Sequence, residues 1–528
     1  MAATRISFTR WRFRAMGIFA MLLSSLGCAS ARRIESPRVD TAALVREADE
    51  EINRGCYLCL ISATEKYEAA IAAGAIGVER KTAGAFVLMA ARERELGLKP
   101  SAAMDNARKY AAGGPDGAIV DTYLSATALI PLRMEGVSKE AMAASAPAAR
   151  TRAMRGLAHN EADDASLKAL RQAADGTGDI AARYLLGALE CVGPTPPAPK
   201  ALEPSPVFLF QAATCGTQLD LSRIESLIKA EPRFHEAHYF AGRLFMAQRR
   251  LVSAERAFLA AANGLPRMTA AWAMLGSARL RLEEYDWAAQ DLARALDIEP
   301  DQREALLLRA QALNYAGRFE EAMAPAQRLL DLGAWYVSDA NYWLAFSELQ
   351  LRRLRDADVH VREARRTNPM NGDTARLGGL VAYHLAEFNR ARGEFELAIS
   401  SGPDCESHLH LGLIHGLQER PESAVVAFVR ARDCYARAAD GALARRREIE
   451  ESTLTEVRKE VALLRLAQRV EAARRSQASA SLGAAEGEAA RGAYEAALTY
   501  ATEASAHPDF VARVDDLRKR IAAQQKPR

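Results

Sequence analysis

The sequence predicts an all-α chain wound as a solenoid of antiparallel helix pairs. Three observations lead there. A pattern recurs between residues 235 and 438 with a step of 33 to 35 residues. Tiny residues hold the same two places in every copy. No stretch shows the sustained apolar–polar alternation of a half-buried strand. A unit of this length with two helical patterns cannot bury its apolar face alone, so neighbouring units must stack.

The bulk composition agrees. With 528 residues the chain exceeds one hydrophobic core and suits two to four modules. Apolar residues at 49% and charged residues at 26% are ordinary for a folded soluble protein. The net charge of +3 includes Arg5, Arg10, Arg12 and Arg14, which lie in a leader. Without them, 66 basic residues face 67 acidic ones. A nucleic-acid binder carries a basic surplus on one face, and nothing here supplies it.

Residues 1–27 have the form of a signal peptide: a basic start, then the uncharged, mostly apolar run Ala15 to Leu26. Twelve residues are too few to cross a bilayer, which takes about 20. Ser24-Ser25-Leu26-Gly27-Cys28 follows and resembles a lipobox, which implies lipidation of Cys28 and a membrane anchor. Ser25 stands where leucine is usual, and Ala29-Ser30-Ala31 offers cleavage by ordinary signal peptidase instead. The uncharged Ala29 after the cysteine fits the lipoprotein pattern for the outer membrane, facing the periplasm; a soluble periplasmic or secreted product is the alternative.

Residues 28–40 form a short tether, and 41–191 read as an N-terminal helical domain with apolar residues at three and four spacing, possible degenerate repeats among them. Residues 192–206 are a proline-rich linker, because proline lacks the amide donor and fixes φ. The array occupies 207–438, with six units starting at His235, Thr269, Arg303, Ser338, Gly372 and Cys405. Position eight is Gly242, Gly276, Ala310, Ala345, Gly379 and Gly412; position twenty is alanine in all six. Small residues there let two helices approach, while Phe258, Leu292, Val361, Phe395 and Phe428 at position twenty-four fill space. Residues 439–528 are further helices with a degenerate repeat near 478–511, carrying Gly492, Tyr494, Ala497 and Ala504. The stripe Leu454, Val457, Val461 and Leu464 between 449 and 470 suits a packing helix or a short coiled coil.

At these residues the chain resembles the tetratricopeptide-repeat family. The unit at Thr269 is clearest, with Trp272, Leu275, Gly276, Tyr285, Ala288, Ala295 and Pro300 in family positions. Arg309 and Pro421 depart from the pattern locally. The resemblance implies a wall built from first-helix positions two, five, nine, twelve and thirteen that binds a protein partner. Those positions supply Tyr239, Arg243, Gln311, Asn314, Tyr315, Tyr342, Phe346, Arg376, Tyr383 and His384. The alternative is that some, Tyr342 and Phe346 above all, pack between units. The expected function is a scaffold of the bacterial cell envelope; the alternatives are an accessory subunit of an envelope enzyme or export complex, or an enzyme with its site in 41–191.

Six cysteines remain after Cys28: Cys56, Cys59, Cys191, Cys215, Cys405 and Cys434. An even count in an exported chain suggests disulfides. Cys405 and Cys434 are positions one and thirty of one unit, ends that lie side by side in a helical hairpin. Cys191 and Cys215 flank the linker, which leaves Cys56 with Cys59. Reduced buried thiols, or redox or metal chemistry, are the alternatives for that C-x-x-C. No haem-type histidine follows it, and no second ligand pair stands out. No phosphate loop, dinucleotide loop or nucleophile elbow is present. No enzyme, cofactor, metal or small-molecule substrate is expected.

Overall fold

The computed structural model describes residues 40–112, 120, 121, 123, 171, 172, 174, 179–190, 205–214, 219–333 and 336–525. The leader, Cys28, Cys191, Cys215 and 192–204 of the linker lie outside these residues. Among the described residues every regular element is helical. The chain from Thr41 onward is one compact unit.

Among the described residues, the helices ahead of the six units are α1 (Thr41–Arg54), α2 (Tyr57–Ala72), α3 (Glu79–Glu95), α4 (Ala103–Ala111), α5 (Ile180–Glu190), α6 (Pro206–Thr214) and α7 (Leu221–Ala230). Helices α1 and α2 pair across the two-residue connection Gly55-Cys56. Gly55 is left-handed at φ 68°, and a Cβ there would run into Val207 of α6, so no other residue fits. Cys56 and Cys59 are disulfide-bonded and fully buried, and the Cys56 sulfur also accepts the Cys59 amide at the start of α2.

Residues on both sides of the proline-rich segment share part of one core. Cys56, Cys59, Leu96 and Leu98 share one core with Phe210, Phe234 and the first units of the array. Arg92 of α3 makes the join. It is 1% exposed, its Nη2 donates to the Gly55 carbonyl at 3.0 Å, and its guanidinium lies 4.1 Å over the Phe210 ring. Glu95 stands 3.4 Å and Glu236 3.8 Å from it. Glu236, in the first turn of the array, also accepts the Tyr57 amide at 2.8 Å.

The six units are the pairs α8 (His235–Ala247) and α9 (Leu251–Gly264), α10 (Thr269–Arg281) and α11 (Tyr285–Ile298), α12 (Arg303–Tyr315) and α13 (Phe319–Asp331), α14 (Val337–Gln350) and α15 (Leu354–Thr367), α16 (Gly372–His384) and α17 (Phe388–Ser401), and α18 (Cys405–Leu417) and α19 (Pro421–Glu450). Every second helix starts at position seventeen of its unit. Pro421 fits because the first turn of a helix has no use for its missing amide. Position fifteen is left-handed throughout: Arg249, Glu283, Gly317, Arg352, Ala386 and Glu419, with φ between 56° and 76°. This ends the first helix, as where the Ala386 and Glu387 amides turn back to Tyr383 and Ala382. Cys405 and Cys434 are disulfide-bonded across the last pair.

Positions eight and twenty-four compensate in volume. Gly242, Gly276, Gly379 and Gly412 face Phe258, Leu292, Phe395 and Phe428, and a Cβ on any of these glycines would lie 2.5–2.6 Å from that side chain. Where position eight is alanine, position twenty-four is smaller: Ala310 clusters with Ala326, and Ala345 with Val361.

Helix α19 runs past its unit to Glu450, the chain turns at 451–455, and α20 (Glu456–Ala490) returns. Of the stripe expected over 449–470, Leu454 lies in the turn, and Val457, Val461 and Leu464 lie on α20. Beyond 478, α20 pairs with α21 (Tyr494–Ala504), burying Ala485, Ala497 and Ala504 around left-handed Gly492. A short 3-10 turn, Pro508–Phe510, and α22 (Val511–Gln524) cover that pair with Phe510, Val514, Leu517 and Ile521. Residues 439–477 are thus a helical hairpin set between two pairs of the array.

Gly379→Ala is expected to lower stability by about 1–3 kcal/mol through overpacking, despite alanine's better helix propensity. Combining it with Phe395→Val should recover most of the loss in thermal unfolding; a single variant as stable as the parent would refute the volume rule.

Candidate partner-binding groove

From the second unit to the sixth, first helices touch first helices directly: α10 on α12, α12 on α14, α14 on α16 and α16 on α18. Second helices make no comparable contact with one another. The first helices therefore lie on the inner side of the bend, and their exposed side chains form its wall.

The wall has an aromatic half and a charged half. Tyr315, 47% exposed, sits with its ring 5.2 Å from Tyr285 and 5.4 Å from Trp343. Tyr342 and Phe346 flank Trp343 at 5.0 and 5.8 Å and are half-buried. Next comes Arg376, held by Glu406 at 2.9 Å, Asp404 at 3.5 Å and Asp373 at 3.7 Å. Burial pushes the Tyr342 hydroxyl up to about 12, with Arg376 opposing. Tyr383 packs its ring 5.0 Å from His410, and His384 beside it is exposed. Arg243 and Gln311 are half-buried on the same helix face.

Two expected members leave the set. Tyr239 is 1% exposed, with its ring against Phe240 at 5.4 Å and Phe258 at 5.8 Å, and burial pushes its hydroxyl up to about 12. Asn314 is also buried; its amide donates to the Ala310 carbonyl, and its oxygen accepts from Ser347 at 2.8 Å. Both fasten helix to helix and offer a partner no atom.

Acidic residues recur in another column that the family resemblance assigns to the wall. Position two is Glu236, Glu304, Asp339, Asp373 and Glu406 in five of six units. Glu236 went to the core join, and the others lie along the wall, where negative charge in a first turn also suits the helix dipole. Among the described residues no three His, Cys, Asp or Glu side chains gather as metal ligands would.

The sequence matches no protein-family model and no curated protein. Similar solved structures include PilF of Pseudomonas aeruginosa, 18% identical over 38% of this chain and 92% of that one, TM-score 0.35. A tetratricopeptide-repeat protein from Parabacteroides merdae is 16% identical over 50% of this chain and 92% of that one, TM-score 0.35. TTC0263 of Thermus thermophilus is 20% identical over 38% of this chain and 98% of that one, TM-score 0.28.

Two histidines of the array titrate in opposite directions. His360 bonds Glu348 at 2.7 Å, and that hydrogen bond raises its pKa above the usual 6.5. His384 is lowered by partial burial and by Arg352 and His410. His360 therefore contributes stability that is complete below about pH 6.5 and lost as pH rises through its folded value. His384 contributes stability present above about pH 6.5 and lost as pH falls through its own. Ring-proton NMR titration of the full chain should find His360 above and His384 below 6.5; the reverse order would contradict these placements.

Proposed function

We propose that this tetratricopeptide-repeat chain is a scaffold of the bacterial cell envelope that holds a protein partner along the inner wall of units three to five. The observation that carries this is the uncovered part of that wall. Tyr315, Asp373 and His384 are exposed beside half-buried Tyr342, Phe346, Arg376 and Tyr383. Aromatic rings and arginine supply much of the energy at protein interfaces, because they bury large area while keeping polar edges to fix orientation. The acids around Arg376 exceed its single charge, which favours a partner that brings positive charge to that end.

Two disulfides among the described residues suit an oxidising compartment, in keeping with an exported chain. With a basic leader and Cys28 after a lipobox-like run, the reading is of a scaffold tethered to the membrane by lipid.

Cross-linked capture from the native cell with the parent and with Tyr315→Ala plus His384→Ala tests the wall. Both side chains are exposed, so the fold should survive their loss. The variant should lose at least one partner that the parent captures; an unchanged set of partners overturns the groove. Separately, Cys28→Ala should move the chain from the membrane fraction to the soluble one. A variant that still sediments with membranes rules out the lipid tether.

A further inference from the structure

The 439–477 hairpin rises from unit six and lands on units one and two, far earlier in the chain. Three of its arginines meet three carboxylates, and a fourth meets a backbone carbonyl. Arg469 donates to Glu283 at 2.7 Å, and Arg445 stands 3.6 Å from the same oxygen. Arg465 donates to the Glu283 carbonyl and lies 5.9 Å over the Tyr285 ring. Arg458 bridges Glu284 at 2.6 Å and Glu255 at 2.8 Å. Glu283 is itself a left-handed residue at φ 63°, where glycine would be easier, yet its side chain and carbonyl take three of these contacts.

The apolar part of this landing is unsealed. Val457 is 70% and Leu464 60% exposed, and Trp287 is 47% exposed across from them. A cleft of about 230 Å³ lies between Leu282 and Trp287 on one side and Leu454, Val457 and Val461 on the other. Charge contributes to holding the hairpin down: Arg445 and Arg469 are 51% and 42% exposed on Glu283, where salt screens over about 8–10 Å, while Arg458 with Glu255 and Glu284 is more shielded. The root of the hairpin offers a place to bend. Gly441 lies inside α19, and a Cβ on it would touch nothing, so packing gives no reason for glycine there.

Units two to six are joined in series, and α20 also touches α18 at the far end. The contacts thus close into a circuit around the wall: unit two through unit six, along the hairpin, and back to unit two. We propose that the 439–477 hairpin is a releasable strap closing this circuit, with Arg445, Arg458, Arg465 and Arg469 on Glu255, Glu283 and Glu284 as its catch. With the catch closed, a chain segment enters the circuit only end-on; with it open, the circuit admits a segment from the side. The inference goes beyond the scaffold reading and does not depend on what the wall binds.

Nitroxide labels placed by genetically encoded amino acids at Glu460 and Asp297 of the full chain, both exposed and outside the catch, report the distance across it. At low ionic strength the parent should give one short, narrow distribution by pulsed electron paramagnetic resonance. In molar salt a longer population should appear and grow several-fold. Glu283→Gln plus Glu284→Gln should show that longer population already at low ionic strength, with helical content unchanged by circular dichroism. A narrow distribution that molar salt leaves in place overturns the proposal, and the parent alone decides this if the variant does not fold. A broad distribution in the parent at low salt overturns it too, since no closed state would then exist.

Discussion

Every unit of this protein depends on how closely its two helices can approach, and that distance is set by one facing pair. A glycine at position eight admits a phenylalanine or leucine at position twenty-four; an alanine admits only valine or alanine. Because interiors pack at crystal-like density, one extra methyl has nowhere to go, and the pair must vary together. The buried alanine at position twenty keeps the second point of approach constant. Units of nearly equal spacing then stack in succession, which brings Tyr285, Tyr315 and Trp343 from three units within ring contact.

The join to the N-terminal helices works on a different principle. Arg92 is buried among Phe210, Phe234 and Tyr184 with Glu95 and Glu236 as counter-charges. Burial pushes the Glu236 carboxyl up while Arg92 and the Tyr57 amide pull it down. Such a cluster adds little net stability over an apolar one, but losing one partner strands a buried charge at a cost of about 3–5 kcal/mol. It therefore fixes which surfaces meet more than how tightly they hold. The hydrophobic core includes residues from both sides of the proline-rich stretch.

Much of this was legible in the sequence, for physical reasons that can be named. Small residues at fixed spacing have few explanations besides close helix approach, so the repeat and its helix starts could be read directly. Wall membership could not, because positions five and twelve sit at the border between wall and core. Tyr239 shares its core with the small Ala273 of the next unit, where a large ring fits, and Asn314 found Ser347 to bond; neither neighbour is apparent from position alone. The acids of position two were missed because carboxylates in a first turn look like dipole partners. The hairpin's landing was hidden for a related reason: arginines on a helix usually face water, and no local spacing points to carboxylates some 180 residues away.

The continuity of α20 has a mechanical consequence. The helix that starts beside Glu284 is the same helix that pairs with α21, without a break from Glu456 to Ala490. From its start to residue 478 it extends about 33 Å at 1.5 Å per residue. A helix of that length acts as a lever, so a shift of a few ångströms at the tip turns the far pair by only a few degrees. Small rotations between packed helices are what interfaces tolerate without repacking. An event at the second unit could thus be felt at the C-terminal end of the chain, past units three to five, which α20 does not run through.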